Sequence, residues 1–411
     1  MRSAAAALAF VLCVASAPAA RASDAAHPGV LVVDRDGALV VAAGTPNGAV
    51  PFIARIGADG RLRIVHRFVP YDTPGSLALI GARVYGLDGF PASGGHAFEV
   101  AGSRFRTIFR VPDDGFGTIA YDPGAPARDG LVFAIDGGRG ALCHVRHGQA
   151  ACGAIEVVGP GGARRIATFA RPASAFPLAG NGRSAWFAGS DAERPRALEL
   201  REGRVIPLGT GGRFARAAAP FGAGALFALE LGDHVDVAWA GGGKGPLVTL
   251  ARVPGVPKAN AVVTLRSRGR AAYWLITWSG YQINESRLYE LSVEGELRTV
   301  KSWQGAPGDS VQLHYVDARG DAIVSTEHRE IVGSASTTRG TLLAIAPDGA
   351  IRQLKLGPLA ARTAVADAVE SPDGGVWSLL GTYGSAVAVV HSDAASARTY
   401  MLPAGKPRKS T

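Results

Sequence analysis

Histidine and carboxylate side chains gather in the polar segments that follow the strand-like runs of this 411-residue sequence. The densest group is Glu327, His328 and Glu330, and His314 lies on the preceding run VQLHYVD. A carboxylate beside a histidine can tune a general base or bind a metal. Because successive side chains of a strand point to opposite faces, we expect only His328 with Glu330, or Glu327 with Arg329, to share a side.

Aromatic rings and carboxylates on such segments can also hold a sugar or a peptide. The candidate ligand-binding residues are His96, Tyr281, Asn284, Glu285, His314, Glu327, His328 and Tyr383. The alternative is that these residues are polar only because they face solvent. The sequence contains no G-x-S-x-G, H-E-x-x-H, G-x-x-x-x-G-K-[ST] or EF-hand motif, so we assign no catalytic residue, metal ligand or cofactor.

The three cysteines divide between the N-terminus and one short segment. Cys13 lies in an apolar leader, and Cys143 and Cys152 flank the segment HVRHGQAA. In an exported protein this pair predicts a disulfide that joins the two arms of a hairpin. The alternative is a metal site with His144 and His147, although the C-x-x-C spacing of common zinc sites is absent.

The N-terminus has the features of a secretory signal peptide. Arg2 precedes the apolar run Ala4–Val14, Pro18 follows it, and Ala20-Arg21-Ala22 fits an A-x-A cleavage site. We therefore predict a signal peptide over residues 1–22 and a short segment over 23–29. A single domain over 30–403 and a basic tail over 404–411 follow. The expected location is the periplasm or the outside of the cell.

Composition excludes several classes of protein. The formal net charge is +9, but the basic residues are scattered among acidic ones, which does not fit a nucleic-acid interface. No run after the leader is long and apolar enough for a transmembrane segment. We expect a monomer whose partner is a small molecule, a carbohydrate or a protein.

A repeated unit determines the fold class. Its clearest copy, Ala271–Trp303, combines a buried apolar strand, a polar segment, and two strands joined by a Glu-Gly turn. Similar hairpins recur 40 to 60 residues apart, with turns at Gly60, Gly102, Gly162, Gly203, Gly243, Gly295, Gly349 and Ala395. Two more strand-like runs precede each hairpin. This pattern predicts an all-β propeller of four-stranded antiparallel blades, with eight blades, or seven if one unit is irregular.

The first two units resemble the tandem repeats of bacterial secreted proteins called GloVer or HAF-type repeats. The matching residues are Tyr85-Gly86, Ser93-Gly94-Gly95, Ala97-Phe98, Gly102 and Thr107-Ile108-Phe109, with Gly60 and Ile64–Phe68 in the unit before. The likeness is clearest over residues 37–111 and fades afterwards. It implies a propeller and brings no catalytic residues.

The connections between the second and third strands are the long and variable ones, and they lie on one face of a propeller. They are 44–50, 88–96, 191–196, 279–286, 327–340 and 381–385, and the cysteine hairpin is an insertion at the same position in blade three. Variable loops on a rigid scaffold often carry binding sites. The sequence leaves enzymatic activity undecided and favours a non-catalytic binding or scaffold propeller. The alternative is a propeller hydrolase or lyase with His and Glu residues at the pore mouth.

Overall fold

The computed structural model describes residues 30–403 with short gaps. The gaps are 45–49, 70–73, 89–94, 111–117, 120–123, 137–143, 147–148, 152–153, 169–172, 192–193, 232–233, 242–246, 256–259, 281–282, 293–294, 307–308, 333–334, 383–384 and 394. The predicted signal peptide and basic tail lie outside this range.

The described chain forms eight four-stranded antiparallel blades arranged in a ring, which confirms the predicted propeller. Blades 1 and 2 are β1 (Leu31–Val33), β2 (Leu39–Gly44), β3 (Pro51–Ile56), β4 (Leu62–Arg67), β5 (Pro74–Ile80), β6 (Arg83–Asp88), β7 (His96–Ala101) and β8 (Arg104–Arg110). Blade 3 and its additions are β9 (Thr118–Ile119), β10 (Ala125–Ala127), β11 (Gly130–Asp136), β12 (His144–Arg146), β13 (Gln149–Ala151), β14 (Ala154–Gly159) and β15 (Gly162–Thr168).

The remaining blades follow in chain order. Blades 4 and 5 are β16 (Ala173–Gly180), β17 (Ser184–Asp191), β18 (Arg194–Arg201), β19 (Arg204–Leu208), β20 (Phe214–Phe221), β21 (Gly224–Leu231), β22 (His234–Ala240) and β23 (Val248–Pro254). Blades 6 and 7 are β24 (Asn260–Arg268), β25 (Ala271–Gly280), β26 (Ile283–Leu291), β27 (Leu297–Gln304), β28 (Ser310–Val316), β29 (Ala322–Val332), β30 (Ala335–Ile345) and β31 (Ile351–Leu354). A 3₁₀ helix, η1 (Pro358–Arg362), precedes blade 8, which is β32 (Val365–Glu370), β33 (Val376–Thr382), β34 (Ser385–Ser392) and β35 (Ala397–Met401).

Apolar side chains between neighbouring blades form the core. In most blades the central residues of strands 2 and 3 are buried, as their apolar runs predict. One cluster joins blades 5 and 6 through Leu226, Val237, Trp274 and Ile276. A blade therefore cannot bury both of its faces without two neighbours, and this makes a closed ring the stable form.

The ring closes between blades 8 and 1 without exchanging a strand, because blade 1 consists of β1 to β4 and blade 8 of β32 to β35. Trp377 and Leu379 of blade 8 share one apolar cluster with Val41 of blade 1. The carboxylate of Asp367 on β32 also accepts hydrogen bonds from the backbone amides of Val30, at 2.8 Å, and Leu31, at 3.1 Å. Both apolar packing and a charge-assisted contact thus hold the seam.

Successive strands alternate in direction, so connections of one kind lie on one face. We call the face with the strand 2–3 and blade-to-blade connections the long-loop face, and the opposite one the short-turn face. The hairpin β12–β13 is inserted between strands 2 and 3 of blade 3, as predicted. Cys143 and Cys152 lie outside the described residues, so their disulfide stays a prediction.

Several expected loops of the long-loop face are paired strand instead. In blade 7, Glu327 pairs with Gly340 and the ladder continues to Val332 and Ala335. In blade 6 the pairing runs to Gly280 and Ile283. Ser, Thr, Ile and Val are frequent in these segments, and such residues support extended backbone although their polarity suggested a loop. Blade 7 therefore presents a raised hairpin, and not a loop, at its strand 2–3 connection.

Candidate functional site

A cavity of 220 Å³ lies on the long-loop face between blades 6 and 7. Its sides come from the start of β26, the end of β27, the connection that enters β28, and the raised part of β29. The residues that line it are Asn284, Ser286, Trp303, Gln304, Gly305, Asp309, Ser310, Val311, Thr326, Glu327, His328 and Leu343. It joins residues from two blades, and it contains three of the predicted candidates.

A histidine–aspartate pair stands at the rim of this cavity. His328 Nδ1 lies 2.9 Å from Asp309 Oδ1, and the His328 side chain is 61% exposed. A carboxylate that accepts from Nδ1–H orients the ring and leaves Nε2 as the nitrogen that can accept a proton. This is the geometry of a general base held by a carboxylate.

The Asp309 carboxylate is itself held in place. Its oxygens accept hydrogen bonds from the backbone amides of Arg329, at 3.2 Å, and Ala306, at 3.0 Å. Burial raises the pKa of Asp309, but these two amides and His328 outweigh burial, so the pKa lies below its ordinary value. The carboxylate is therefore ionised wherever His328 works as a base.

Glu327 is the second carboxylate of the cavity. It pairs in register with Ser310, and the Ser310 hydroxyl donates to its carboxylate at 3.1 Å. We expected Glu327 and His328 to point apart, yet both line the cavity. The reason is that Glu327 faces the first residue of β28 across the sheet, whereas His328 reaches the residue that precedes β28.

Asn284 and Glu285 have structural partners. The Asn284 amide donates to the carbonyl oxygens of Ala306, at 2.8 Å, and Asp309, at 2.9 Å. Asn284 therefore positions the connection that carries Asp309. Glu285 forms an ion pair with Arg287 two residues along the same strand.

His314 is a wall residue of the inner strand and does not reach the cavity. Its side chain is 5% exposed, and Nε2 lies 2.8 Å from the Ser325 hydroxyl. A bulge between Leu313 and Tyr315 turns it towards blade 8, where Asp367 lies 3.8 Å from Nδ1. Ser325, which is 4% exposed, is buried beside it.

His96 lies on blade 2, away from the blade 7 residues. The Asp88 carboxylate accepts from the His96 backbone amide and lies 2.9 Å from its Nδ1. Tyr281 and Tyr383 lie outside the described residues. The histidines and carboxylates that we expected at the pore mouth thus divide into separate pairs, and only Glu327 and His328 share a site.

Sequence reasoning missed Asp309 and Ser310. They directly precede and begin an inner strand, in the segment GAPGDS. The available signal was topological, because a blade-to-blade connection lies on the same face as the strand 2–3 connections. An Asp-Ser pair at that point was therefore a candidate beside Glu327 and His328.

The described residues include no group of three or more His, Cys, Asp or Glu side chains arranged to hold a metal ion. They also include no helix long and apolar enough to cross a membrane. The cavity offers one base, one further carboxylate, and the apolar lining residues Trp303, Val311 and Leu343.

Fold and site together define an all-β propeller with a histidine–carboxylate cavity between two blades. No protein-family model matches the chain, and no curated protein matches it. Among solved structures, it is similar to a post-proline cleaving enzyme from Rickettsia typhi, with 9% identity and a TM-score of 0.49, over 86% of this chain and 57% of that one. It is also similar to a puromycin-hydrolyzing peptidase from Mycobacterium tuberculosis, with 13% identity and a TM-score of 0.48, over 82% of this chain and 54% of that one.

A third similar structure is oligopeptidase B from Trypanosoma brucei, with 10% identity and a TM-score of 0.43, over 73% of this chain and 44% of that one. The chain thus spans between 44% and 57% of the length of these three enzymes. All three names describe peptidases or cleaving enzymes. Our main expectation was a non-catalytic binding or scaffold propeller. The similar structures are named as peptidases or cleaving enzymes, in agreement with our alternative of a propeller hydrolase, and the main expectation is not carried further. Because the likeness concerns the fold alone, the activity is argued from the site.

Proposed function

We propose that the chain is a propeller hydrolase whose site is the cavity between blades 6 and 7. The observation that carries the proposal is the Asp309–His328 pair, with a 2.9 Å contact at the rim of an open cavity. The pair has the components of a general base, and the cavity beside it has room for the group that is cleaved.

The chemistry is the addition of water to an ester or amide carbonyl. His328 Nε2 accepts a proton from water, and the hydroxide adds to the carbonyl carbon. The bond to the leaving group then breaks, and the leaving nitrogen or oxygen takes the proton from His328. Asp309 stabilises the protonated ring between these two transfers. Gln304 and Thr326 line the cavity with groups that can donate to the developing negative charge.

Water, rather than Ser310, is the nucleophile in this scheme. The Ser310 hydroxyl donates to Glu327, at 3.1 Å, so its proton is directed away from His328. An activated serine requires a hydrogen bond to the base itself. The reaction accordingly forms no covalent intermediate.

The test is hydrolysis of 4-nitrophenyl acetate and of aminoacyl 4-nitroanilides by the purified chain. Because general-base catalysis contributes roughly 10²–10⁴-fold, we expect His328→Ala to lower kcat/KM by that factor. The matched control is His391→Ala, since His391 lies 3.3 Å from Asp373 in a second histidine–aspartate pair, on the short-turn face of blade 8. Equal activity in the two variants, both folded by circular dichroism, would refute the assignment.

We further propose export of the chain and a Cys143–Cys152 disulfide. The leader-like N-terminus and the hairpin β12–β13, in which His144 pairs with Ala151, support this. Expression with the native N-terminus, cell fractionation, and intact mass before and after reduction test both points. A cytoplasmic chain that retains residues 1–22, or a mass unchanged on reduction, would contradict them.

A further inference from the structure

We infer that the cavity between blades 6 and 7 selects a substrate that carries a primary ammonium group on an alkyl stem, with Glu327 as its partner. The inference rests on the proposed function for the reaction, but the binding it describes is measurable without turnover.

The charges of the cavity favour a cation. The described side chains that line it include the carboxylates of Asp309 and Glu327, and none of these described side chains is a lysine or an arginine. Asp309 is held by His328 and two backbone amides. Among the described residues, the hydrogen-bond partner of the Glu327 carboxylate is the Ser310 hydroxyl, at 3.1 Å. Its charge is therefore available to a ligand.

Several other shielded carboxylates of this propeller are neutralised by arginine. Such pairs are Arg83–Glu99, Arg165–Glu156, Arg213–Asp236 and Arg298–Glu290. A partly buried carboxylate without a cation is costly, and binding a cation removes that cost. Glu327 differs from these residues in that its cavity is open to solutes.

The size and floor of the cavity limit the cation to a small one on an apolar stem. A volume of 220 Å³ is below the ~300 Å³ at which pockets for whole drug-sized ligands begin. Val311 and Leu343 provide apolar contact for methylene groups, and the Trp303 indole can face the ammonium group. A primary amine on a chain of four or five carbons fits this description.

The position of Glu327 makes it a specificity residue for the proposed reaction. Glu327 points into the cavity opposite Ser310, while His328, the next residue, stands at the exposed rim. A substrate whose ammonium group reaches Glu327 lays its alkyl stem against Val311 and Leu343 and carries its ester or amide carbonyl at the far end of that stem, towards His328. Esters and amides of lysine-like acids are the substrate class that follows.

The experiment is a titration of ¹⁵N-labelled protein with n-butylammonium chloride, followed by the amide signals of Ser310 and Thr326. We expect saturable shifts in the native chain, none with n-butanol, and at least a tenfold weaker Kd in Glu327→Gln. Glu330→Gln is the control because Glu330 is exposed on the same strand and does not line the cavity. Its Kd should stay within twofold of the native value.

Two further measurements distinguish ammonium binding from the proposed hydrolysis and from binding of a metal ion. In His328→Ala, amine binding should persist, so loss of hydrolysis in that variant does not bear on the ammonium site. Calcium chloride is titrated in parallel, and saturation by calcium without a response to the amine would overturn the inference. Equal shifts with n-butanol and n-butylammonium in the native chain would overturn it as well, whether or not Glu327→Gln folds.

Discussion

Asn284 offers a sharp test of how the cavity is held together. Its side-chain amide donates to the carbonyl oxygens of Ala306, at 2.8 Å, and Asp309, at 2.9 Å. Its backbone carbonyl accepts a hydrogen bond from the Gly305 amide at 3.0 Å. Asn284→Ala removes the first two bonds and leaves the third. The connection between blades 6 and 7 is then no longer held by side-chain hydrogen bonds from Asn284.

The expected magnitude follows from those two bonds. Each contributes a net ~0.5–1.5 kcal/mol, so the free energy of unfolding should fall by about 1–3 kcal/mol. Asp309 is also freed to move, and His328 with it. A displacement of about 1 Å in a catalytic group can cost roughly 10²-fold, so we expect kcat/KM to fall by about 10- to 100-fold.

The matched control is Asn181→Ala in blade 4. The Asn181 side-chain oxygen accepts from the backbone amides of Arg183, at 2.9 Å, and Ser184, at 2.8 Å, on the short-turn face. Both variants lose two side-chain hydrogen bonds, so urea denaturation should show similar destabilisation. Only Asn284→Ala should change the rate and the ¹⁵N chemical shifts of the His328 ring. If the two variants match in rate and in these shifts, Asn284 does not position the pair.

Three further predictions concern the ring and its carboxylates. Asp367→Ala removes two carboxylate–amide bonds at the seam, each worth ~1.5–3 kcal/mol. It should speed hydrogen exchange of the first strand and lower the free energy of unfolding by about 3–6 kcal/mol. Asp36→Ala, whose carboxylate is 79% exposed, should cost less than about 1 kcal/mol, and equal exchange in the two variants would contradict the role of Asp367. Asp236 is fully buried between two arginines, so Asp236→Ala should lower the free energy of unfolding in urea by about 3–5 kcal/mol. Glu230→Gln is the control in the same blade, and because its Arg216 pair is exposed it should cost under about 1 kcal/mol. A loss under 1 kcal/mol in Asp236→Ala would refute this. The depressed pKa of Asp309 stabilises the fold above its ordinary value of 3.8, and that contribution is lost as the pH falls through the folded-state pKa. Asp309→Asn should therefore flatten the stability curve below about pH 4, and a curve parallel to that of the native chain would show that the carboxylate gains nothing on folding.

The architecture could be predicted from sequence because each blade is encoded locally. The turn glycines illustrate this: Gly60 and Gly295 have φ values of 69° and 84°, in the left-handed region that a tight hairpin requires. Apolar runs such as AAYWLITW supply strands buried on both faces. Neither signal depends on distant parts of the chain, so the repeat was visible without the structure.

The site depended on contacts that local patterns do not contain. Glu327 and His328 were recognisable as a pair of reactive types, yet alternation on a strand predicted opposite directions for them. Their common cavity exists because this part of β29 lies beside the connection from blade 6, which brings Asp309 and Ser310 to them. Similarly, the alternation of residues could not show that His314 turns at a bulge towards a buried serine.

Sequence alone therefore determined the repeated strands, the glycine turns and the period of a propeller with eight or seven blades, because hydrophobic alternation and turn chemistry act over a few residues. Only the tertiary structure decided which polar side chains meet. Hydrogen bonds such as Asn284–Asp309 and Val30–Asp367 form between blades, because the ring geometry brings these residues together. The partner of each carboxylate, whether arginine, histidine or a backbone amide, follows from that packing and decides whether its charge stabilises the fold or remains open to a ligand.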